Sequence, residues 1–388
     1  MRVCIAQNVS LNNHLALSTY LTSITKHLST QDDLDIVLVT SKGSRPSPDL
    51  GQNVDLREID SDLYSLTGNW SYARNLTNIL MEVEKEEHID VVHCLYPFSS
   101  VMGASIFKHR KPGTRLVYDI RSPWIDMSVE RGSIPRPVGG LYRTGAYAFE
   151  RLLTDNVDGF IFITQGLKNH YEHRLALKGR PNSIIPSGID LDHFAMGVGS
   201  RVRDRYGIEN GEIVLGYVGG VSSMRDLDFM IKGFKQASDE RNDIRLMIVG
   251  DGDALVNLKR LAENIGCGEK VIFTGRVDFN EIPEYISALD IGLCHLPDKM
   301  VFRYSFPMKI LEYLSCGVRV LASSIHAHRE IAKDLNGITL YEDLQSFVTS
   351  IVNIEKESKR PISGLEKYSW HQIGLDMREL WERAIERR

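Results

Sequence analysis

The sequence predicts an α/β protein made of two doubly wound domains, each with a mostly parallel sheet covered by helices. The length of 388 residues suits two domains of ordinary size. Short apolar, β-branched runs alternate along the chain with longer segments that carry apolar residues at helical spacing. Most of the short runs are apolar on both faces, which is typical of strands buried between two layers of helices.

Eleven runs are predicted strands. In the first half they are Val3–Ala6, Asp35–Thr40, Asp90–Leu95, Arg115–Asp119, Gly159–Thr164 and Ser183–Pro186. In the second half they are Ile213–Val218, Arg245–Val249, Val271–Thr274, Ile291–Cys294 and Arg319–Ala322. Helical stripes lie between them, for example Leu227, Met230, Ile231, Phe234 and Ala237.

These runs predict two Rossmann-like domains and a short connection. We predict a first domain over 1–190, a linker over 191–210, a second domain over 211–365 and, over 366–388, an amphipathic helix that crosses back to the first domain. Two such domains facing each other leave a cleft at the carboxyl ends of their strands, where ligands bind in sheets of this kind.

Composition excludes several classes of protein. A net charge of −5 and a pI near 6.2 argue against a nucleic-acid binder. The five cysteines are far apart and form no C-x-x-C pair, which favours buried free thiols in a reducing compartment over disulfides or zinc. No apolar run suits a signal peptide or a membrane span, so we predict a cytoplasmic protein, with peripheral contact on the inner face of a membrane left open.

Two predicted strands of the second half end in glycine-rich turns. After Tyr217-Val218, the pair Gly219-Gly220 precedes Arg225 and a helix, a combination that suits a diphosphate but also fits a tight turn with a solvated arginine. The run 250–253, Gly-Asp-Gly-Asp, contains a D-x-D pattern. Because that pattern occurs five times in the chain, we interpret it as a turn beneath a ligand and expect no metal.

The segment 305–322 contains a helix with a well-defined start and stop. Pro307 suits the first helical position and Gly317 the position after the last. The free N–H groups of the helix would face the cleft, Lys309 could reach a phosphate, and Glu312 could accept hydrogen bonds from a ribose diol. The alternative is a plain amphipathic helix with surface charges.

Taken in order, these segments resemble a known family. GYVGG, LDFMIKGF, RLMIVGDGD, VIFTGRVDFNEIPEYISALDIGLCHLP and FPMKILEYLSCGVRVLAS together resemble the donor domain of retaining GT-B glycosyltransferases, of the family 4-like type also called glycosyl transferases group 1. The first half resembles the family more faintly, at DVVH, at FE with TDNVDGFIFIT, and at IPSGID. The resemblance implies the GT-B fold.

The resemblance also implies roles for residues. Arg225 matches the basic residue that binds the donor diphosphate, and Glu312 matches the second glutamate of the E-x7-E motif, which contacts the ribose. The predicted catalytic residues are Asp119, Arg225 and Lys309. The predicted donor-binding residues are Gly219, Gly220, Arg225, Gly250, Asp251, Gly252, Arg276, Ser305, Phe306, Pro307, Met308, Lys309 and Glu312.

The sequence departs from the family at three places. Tyr304 stands where the first glutamate of E-x7-E would fall, although 305–313 matches the S-x-P-x-K-x-x-E-Y variant that also lacks it. Gly220 replaces a frequent arginine, so Lys299, Arg303 or Lys309 would supply that phosphate contact. The N-terminal glycine-rich loop is replaced by Asn8–His14, which implies a different acceptor side.

Two features of the first half have two interpretations each. Asp119, with Arg121, stands where the family often has a sugar-contacting histidine, so it could assist acceptor deprotonation or form a strand-end ion pair. The segment Arg131–Tyr147 mixes arginines with aromatic and apolar residues, which fits contact with anionic lipid or a solvated loop and helix.

The resemblance implies a retaining, metal-independent enzyme without a cofactor. It would move a sugar from a nucleoside diphosphate sugar to a glycan or lipid-linked acceptor. Two alternatives use the same donor domain: a nucleotide-sugar 2-epimerase, or a non-catalytic nucleotide-sugar-binding subunit, which Tyr304 and Gly220 would permit.

Overall fold

The computed structural model describes residues 1–11, 16–43, 48, 50–51, 53–61 and 66–387. Asn12, Asn13 and His14, part of the predicted acceptor-side loop, lie outside the described residues. The chain forms two compact units. The first comprises Met1–Gly188, Tyr304–Phe306 and Trp370–Arg388, and the second comprises Ile189–Arg303 and Pro307–Ser369.

The first unit contains a seven-stranded parallel sheet. Its strands are β1 (Arg2–Ala6), β2 (Asp35–Ser41), β3 (Val54–Ile59), β4 (Val91–Leu95), β5 (Arg115–Ile120), β6 (Gly159–Phe162) and β7 (Asn182–Ile184). They lie in the order β3-β2-β1-β4-β5-β6-β7. The helices of the unit are α1 (Ala16–Leu28), α2 (Leu66–Glu86), α3 (Phe98–Arg110), α4 (Trp124–Glu130), α5 (Gly139–Thr154), α6 (Gln165–Tyr171) and α15 (Trp370–Glu386).

The second unit contains a six-stranded parallel sheet. Its strands are β8 (Ile213–Val218), β9 (Ile244–Val249), β10 (Val271–Gly275), β11 (Ile291–Cys294), β12 (Arg319–Ser323) and β13 (Ile338–Tyr341), in the order β10-β9-β8-β11-β12-β13. Its helices are α7 (Ser200–Arg205), α8 (Leu227–Glu240), α9 (Leu255–Asn264), α10 (Ile282–Ser287), α11 (Met300–Arg303), α12 (Met308–Ser315), α13 (His326–Ala332) and α14 (Leu344–Val352).

The predicted α/β fold with two doubly wound sheets is confirmed. All eleven predicted strands form, each within two residues of its predicted ends. The apolar stripe predicted for α8 is buried against its sheet. Because every strand pair is parallel, the residues that follow the strands gather at one edge of each sheet.

The chain differs from the prediction at the proposed linker. Residues 191–210 belong to the second unit and contain α7. Phe194 and Val202 are buried, and the Arg203 Nε–H donates to the Ala288 carbonyl at 3.0 Å. The small and charged composition concealed these anchors, so the segment is a packed part of the unit.

The C-terminal helix α15 packs within the first unit, against α1, β5 and β6. Its apolar face, which includes Ile373, Met377 and Trp381, is fully covered. The five cysteines are all buried and free, as the sequence predicts. Among the helices of the described ranges, none has the length and apolar character needed to cross a bilayer.

Candidate donor site

The second sheet reverses its strand order between β8 and β11. These strands are direct neighbours, with Leu215 opposite Ile291, while β9 and β10 continue on one side and β12 and β13 on the other. In doubly wound sheets a ligand binds outside the carboxyl ends of the strands at this reversal. The turns after β8 and β11 therefore define the place to search for a site.

The turn after β8 brings the backbone unusually close to a lysine. Gly219 has a φ of 135°, and a Cβ atom added there would lie 2.3 Å from the Lys309 Nζ. Gly250, which follows β9, has a φ of 138°, and its added Cβ would lie 2.0 Å from the Gly219 carbonyl oxygen. Because both residues have a positive φ and close neighbours, only glycine fits at either position. Gly219 leaves room for the end of the Lys309 side chain, and Gly250 lets the turn after β9 pass close to the Gly219 backbone.

Lys309 is the most unusual group of the site. Its ammonium lies 3.7 Å from the centre of the Tyr217 ring, a cation–π contact. The Nζ atom is buried and has no hydrogen-bond partner among the residues that the structure describes. Burial, together with the nearby positive charge of Arg225, lowers the pKa of Lys309 to about 7. An anion bound at this position would supply the missing hydrogen-bond partner and would favour the charged form of the lysine.

Arg225 is placed by a short, well-anchored turn. Ser222 accepts a hydrogen bond from the Met224 N–H at 3.3 Å, and the Ser223 hydroxyl donates to Asp253 at 2.6 Å. The next residue, Asp226, has a left-handed backbone with a φ of 53° and precedes α8. The guanidinium carbon of Arg225 lies 5.8 Å from the Phe302 ring centre. The turn therefore fixes a second cation beside Lys309.

The helix α12 carries both Lys309 and Glu312. Pro307 is its N-cap rather than its first residue, and Gly317 ends it with a φ of 72° at the predicted position. Tyr313 fixes the helix to the sheet, because its hydroxyl accepts a hydrogen bond from the Val218 N–H at 2.8 Å. Burial raises the pKa of the Glu312 carboxyl, and the nearby Lys309 opposes this shift.

The D-x-D pair has a structural role in the turn. Asp251 accepts a hydrogen bond from the Gly252 N–H at 2.8 Å. Hydrogen bonds from Ser223 hold the pKa of Asp253 below its usual value. Within the described ranges, no group of three or more histidine, cysteine or acidic side chains could hold a metal ion. The interpretation of 250–253 as a turn agrees with this geometry.

His295, which the sequence reasoning missed, lies beside this site. It follows β11 directly, and its ring stacks on Phe229 with a centroid distance of 4.3 Å. Its Nδ1 lies 2.6 Å from the Tyr341 hydroxyl, while its buried Nε2 has no hydrogen-bond partner among the described residues. The Asp226 carboxylate is 4.0 Å from that Nε2. Its position directly after a predicted strand is the sequence signal that could have identified His295 as a candidate site residue.

The remaining predicted donor residues are distributed between the units. Arg276 follows β10 and is exposed, and Gly220 has open space where a side chain would be. Pro307 and Met308 belong to the second unit, whereas Tyr304, Ser305 and Phe306 belong to the first. There, the Thr164 hydroxyl donates to the Tyr304 carbonyl at 3.1 Å, and the Tyr304 ring packs 5.2 Å from His170.

Asp119 lies at the end of β5 and is completely buried. Its Oδ2 accepts a hydrogen bond from the Arg121 Nε–H at 3.0 Å, and the His93 Nε2 lies 3.4 Å away. The Trp381 indole N–H donates to the His93 Nδ1 at 3.1 Å, which leaves the proton of neutral His93 on Nε2, facing Asp119. This geometry favours the strand-end ion pair over acceptor deprotonation.

The second unit thus places two cations, Lys309 and Arg225, at the strand-order reversal of a parallel α/β sheet. Residues 212–357 match the family model described as glycosyl transferases group 1, and residues 17–193 match glycosyltransferase family 4. The two matches together account for most of the chain. The chain therefore belongs to the GT-B glycosyltransferases of group 1 and family 4, and it is an enzyme of the glycosyl-transfer class.

Individual proteins agree with this assignment. An uncharacterized glycosyltransferase of Methanocaldococcus jannaschii is 25% identical over 76% of this chain and 76% of its own length. Lipopolysaccharide 1,2-N-acetylglucosaminetransferase of Salmonella typhimurium is 24% identical over 96% of this chain and 92% of its own. The structure of HepE from Anabaena in complex with UDP is similar in fold, with a TM-score of 0.73 at 15% identity, over 98% of this chain and 100% of HepE.

Proposed function

We propose that this glycosyltransferase uses a nucleoside diphosphate sugar as donor, retains the anomeric configuration and needs no metal ion. One observation carries the proposal. The buried, unpartnered ammonium of Lys309 lies beside Arg225 at the strand-order reversal of the second sheet. Two cations there suit the two negative charges of a diphosphate.

The two cations have a direct chemical task. In the transfer, the bond between the anomeric carbon and the diphosphate oxygen breaks while the acceptor oxygen bonds to the same face of that carbon. The acceptor proton passes to an oxygen of the leaving diphosphate. Lys309 and Arg225 stabilise the negative charge that develops on the leaving group, which is the task that a metal ion performs in other enzymes.

Glu312 is proposed to hold the nucleoside. Its carboxylate is on the same helix as Lys309, one turn further along, so a donor whose diphosphate meets Lys309 would have its ribose near Glu312. Burial raises the pKa of the Glu312 carboxyl. When the diphosphate is bound to Lys309 and Arg225, the ribose diol is the part of the donor that remains to form hydrogen bonds with Glu312.

The acceptor is proposed to be a glycan or a lipid-linked glycan. The Salmonella relative that spans nearly the whole chain is named for a lipopolysaccharide acceptor, which supports this class. The UDP in the HepE structure supports testing uridine donors first. The same donor domain in an epimerase would change the sugar without any acceptor.

The donor class can be tested by thermal-shift measurements against UDP-, GDP-, ADP- and CMP-sugars. We expect one base to raise the melting temperature. The variant Glu312→Ala should weaken that donor about 10- to 100-fold, because a hydrogen bond to a charged group contributes roughly 1.5–3 kcal/mol. Glu263→Ala, on α9, is a matched control that should leave the affinity unchanged.

Three results would contradict the proposal. Equal donor affinity of Glu312→Ala and the wild type would remove the ribose assignment. Activity abolished by EDTA and restored by manganese would show that a metal is required. A donor converted to its epimer in the absence of any acceptor would identify the enzyme as an epimerase. The anomeric configuration of the product, read by NMR, tests retention.

A further inference from the structure

Asp226 lies between the turn that carries Arg225 and the first residue of α8. An aspartate at this position normally caps the helix, with an extended backbone and a carboxylate that accepts a hydrogen bond from a free N–H of the first turn. Asp226 has a left-handed backbone instead, with a φ of 53°. Its side chain accepts no capping hydrogen bond from α8, a helix that the structure describes from end to end. Capping therefore does not account for the carboxylate.

The charge of residue 226 is unexpected beside Arg225. Glycine adopts a left-handed backbone without steric cost, whereas aspartate adopts it at some cost. The Asp226 side chain is 56% exposed, and its negative charge would oppose the binding of a diphosphate at Arg225. A glycine would suit both the backbone and the diphosphate better, which indicates that the carboxylate binds a group of a different kind.

His295 faces this carboxylate from the interior of the unit. It is only 6% exposed, and its ring lies parallel to the rings of Phe229 and Tyr341, with centroid distances of 4.3 and 6.0 Å. The planes of the three rings differ by 12° or less. Phe229 lies on α8 and Tyr341 ends β13, so packing between a helix and a strand fixes the orientation of the imidazole.

The proton of His295 points toward Asp226. Burial lowers the pKa of His295 to about 4 and so keeps the imidazole neutral at pH 7. The Asp226 carboxylate is 4.0 Å from Nε2, where a nitrogen lone pair would face its negative charge. The proton is therefore on Nε2, and Nδ1 accepts a hydrogen bond from the Tyr341 hydroxyl at 2.6 Å. Among the described residues, no acceptor lies within hydrogen-bond distance of Nε2.

The two side chains thus have an inner and an outer position. The His295 Nε2 is buried and out of reach of a ligand, whereas the Asp226 carboxylate is exposed. The Nε2–H dipole attracts the carboxylate from the interior and restrains its orientation. Because a carboxylate only accepts hydrogen bonds, it repels phosphate and binds groups that donate, of which the hydroxyl is the one that a sugar nucleotide has in number.

We propose that Asp226 binds a hydroxyl group of the transferred sugar and that His295 positions Asp226 for this contact. The inference rests on the proposed function, in which Arg225 and Lys309 bind the diphosphate and Glu312 binds the ribose. The hydroxyls that remain in such a donor are those of its sugar, and the sugar is attached to the diphosphate that Arg225 binds. The contact would distinguish sugars by the position of one hydroxyl.

Paired binding measurements test the contact with the sugar. The probes are UDP, GDP and ADP, each alone and with an attached hexose, in isothermal titration calorimetry. We expect Asp226→Gly to weaken the preferred sugar donor by about 10- to 100-fold, because a hydrogen bond to a charged group is lost. The affinity for the same nucleoside diphosphate without sugar should be unaltered or higher, because a nearby negative charge is removed. Glycine suits the left-handed backbone, so thermal melting should show a variant no less stable than the wild type.

The positioning role of His295 has its own variant. His295→Phe keeps the stacked ring and removes the Nε2–H, and it should weaken the sugar donor by about twofold or more. In the Asp226→Gly background the same change should have no further effect on affinity, since the carboxylate that it orients is gone. Asp228→Ala removes an exposed carboxylate two residues further along the chain and is the matched control, which should bind every probe like the wild type.

Donors that lack one sugar hydroxyl identify the group that Asp226 contacts. The wild type should bind one of these deoxy donors about 10-fold more weakly than the complete donor, whereas Asp226→Gly should bind the two equally.

Three outcomes would overturn the inference. One is an equal loss of affinity for the sugar donor and for the bare diphosphate in Asp226→Gly, which would mean that the variant disturbs the Arg225 turn. Another is a sugar-donor affinity that Asp226→Gly leaves unaltered. The third is a wild type that binds none of the nucleotides, and only this result would also overturn the proposed function.

Discussion

The surroundings of Lys309 were predictable from the sequence only in part. The sequence predicts that its ammonium could reach a phosphate, and the structure shows the environment of that ammonium. The ammonium is buried against Tyr217 beside Arg225 and lacks a hydrogen-bond partner among the described residues. Burial of this kind depends on Gly219, which is 90 residues earlier in the chain, so helical spacing alone could not predict it.

The lowered pKa of Lys309 predicts a pH-dependent donor affinity. The free enzyme holds the ammonium with a pKa of about 7, and a bound diphosphate favours the charged form. Below pH 7 the lysine is already charged, so the affinity should be nearly constant. Above pH 7, binding must take up a proton, and the affinity should fall by up to about tenfold per pH unit. Isothermal titration calorimetry from pH 6 to 9 measures this.

Two variants sharpen that experiment. Lys309→Met should bind the donor weakly and with little dependence on pH in this range. Lys232→Met removes an exposed lysine of α8 and should reproduce the wild-type curve. A wild-type affinity that is constant through pH 9 would mean that Lys309 does not contact the diphosphate.

His295 illustrates what the sequence conceals. Its stacking partners Phe229 and Tyr341 are 66 and 46 residues away along the chain, and only the parallel order of the strands brings them together. Tyr304 is a second case. The resemblance marks it as a missing glutamate, whereas the structure shows a ring packed against His170 within the first unit.

At the scale of elements, α12 owes its position to Tyr313. The ring of Tyr313 fills the space above Gly292, where an added Cβ would lie 2.5 Å from it. The hydroxyl satisfies the buried Val218 N–H at the end of β8. One side chain therefore fixes the helix that carries Lys309 and Glu312 relative to the turn that carries Gly219.

We expect Tyr313→Phe to destabilise the protein by about 1–3 kcal/mol, because it leaves the Val218 N–H buried without an acceptor. Donor affinity should also fall, since α12 is no longer fixed to β8. Urea denaturation and calorimetry measure the two effects. Tyr206→Phe is the matched control. It removes a half-buried hydroxyl whose hydrogen bond to the Tyr285 hydroxyl is long, at 3.4 Å, and should change the stability by no more than about 0.5 kcal/mol.

If Tyr313→Phe has the stability and donor affinity of the wild type, α12 is held by packing alone.

Most of the strands were predictable because their short, apolar and β-branched runs are buried on both faces, and the edge strands β7 and β10 were found from shorter runs of the same kind. The two that sequence reasoning missed, β3 and β13, are edge strands. In β3, Asp55, Arg57 and Glu58 interrupt the apolar pattern, as is common where one side of a strand meets solvent. Composition was also a poor guide at the linker predicted over 191–210. A few buried side chains such as Phe194 anchor this segment, although most of its residues are small or charged.

At the scale of the whole molecule, the two units contain different titrating and fluorescent groups. All four tryptophans, at positions 70, 124, 370 and 381, belong to the first unit. The second unit contains the buried histidines His295 and His328. Burial lowers the pKa of each to about 4.

These histidines predict that acid destabilises the second unit. In the unfolded chain a histidine takes up its proton near pH 6.5, whereas the folded unit excludes the proton until about pH 4. The stabilising contribution is therefore complete above pH 6.5 and is lost as the pH falls toward 4, by about 3 kcal/mol for each histidine. Circular dichroism in urea should show this loss, while tryptophan fluorescence should report the first unit.

A double variant, His295→Phe with His328→Gln, should flatten the pH dependence of the circular dichroism transition. His173→Gln, at an exposed position of the first unit, should leave the dependence as it is. A wild-type transition that is equally stable at pH 4.5 and 7 would contradict the assigned protonation states.

The placement of α15 has a consequence for how the protein is made. Ile373, Met377 and Leu380 complete a core that also contains Val3 and Ile5, which lie about 370 residues earlier in the chain. Residues 1–188 leave the ribosome before residues 370–386 are made. Until then, part of the apolar surface of the first sheet is not covered by α15. The second unit is nearly continuous in sequence and can close first. Parts of the first unit are therefore synthesised both before and after the second unit.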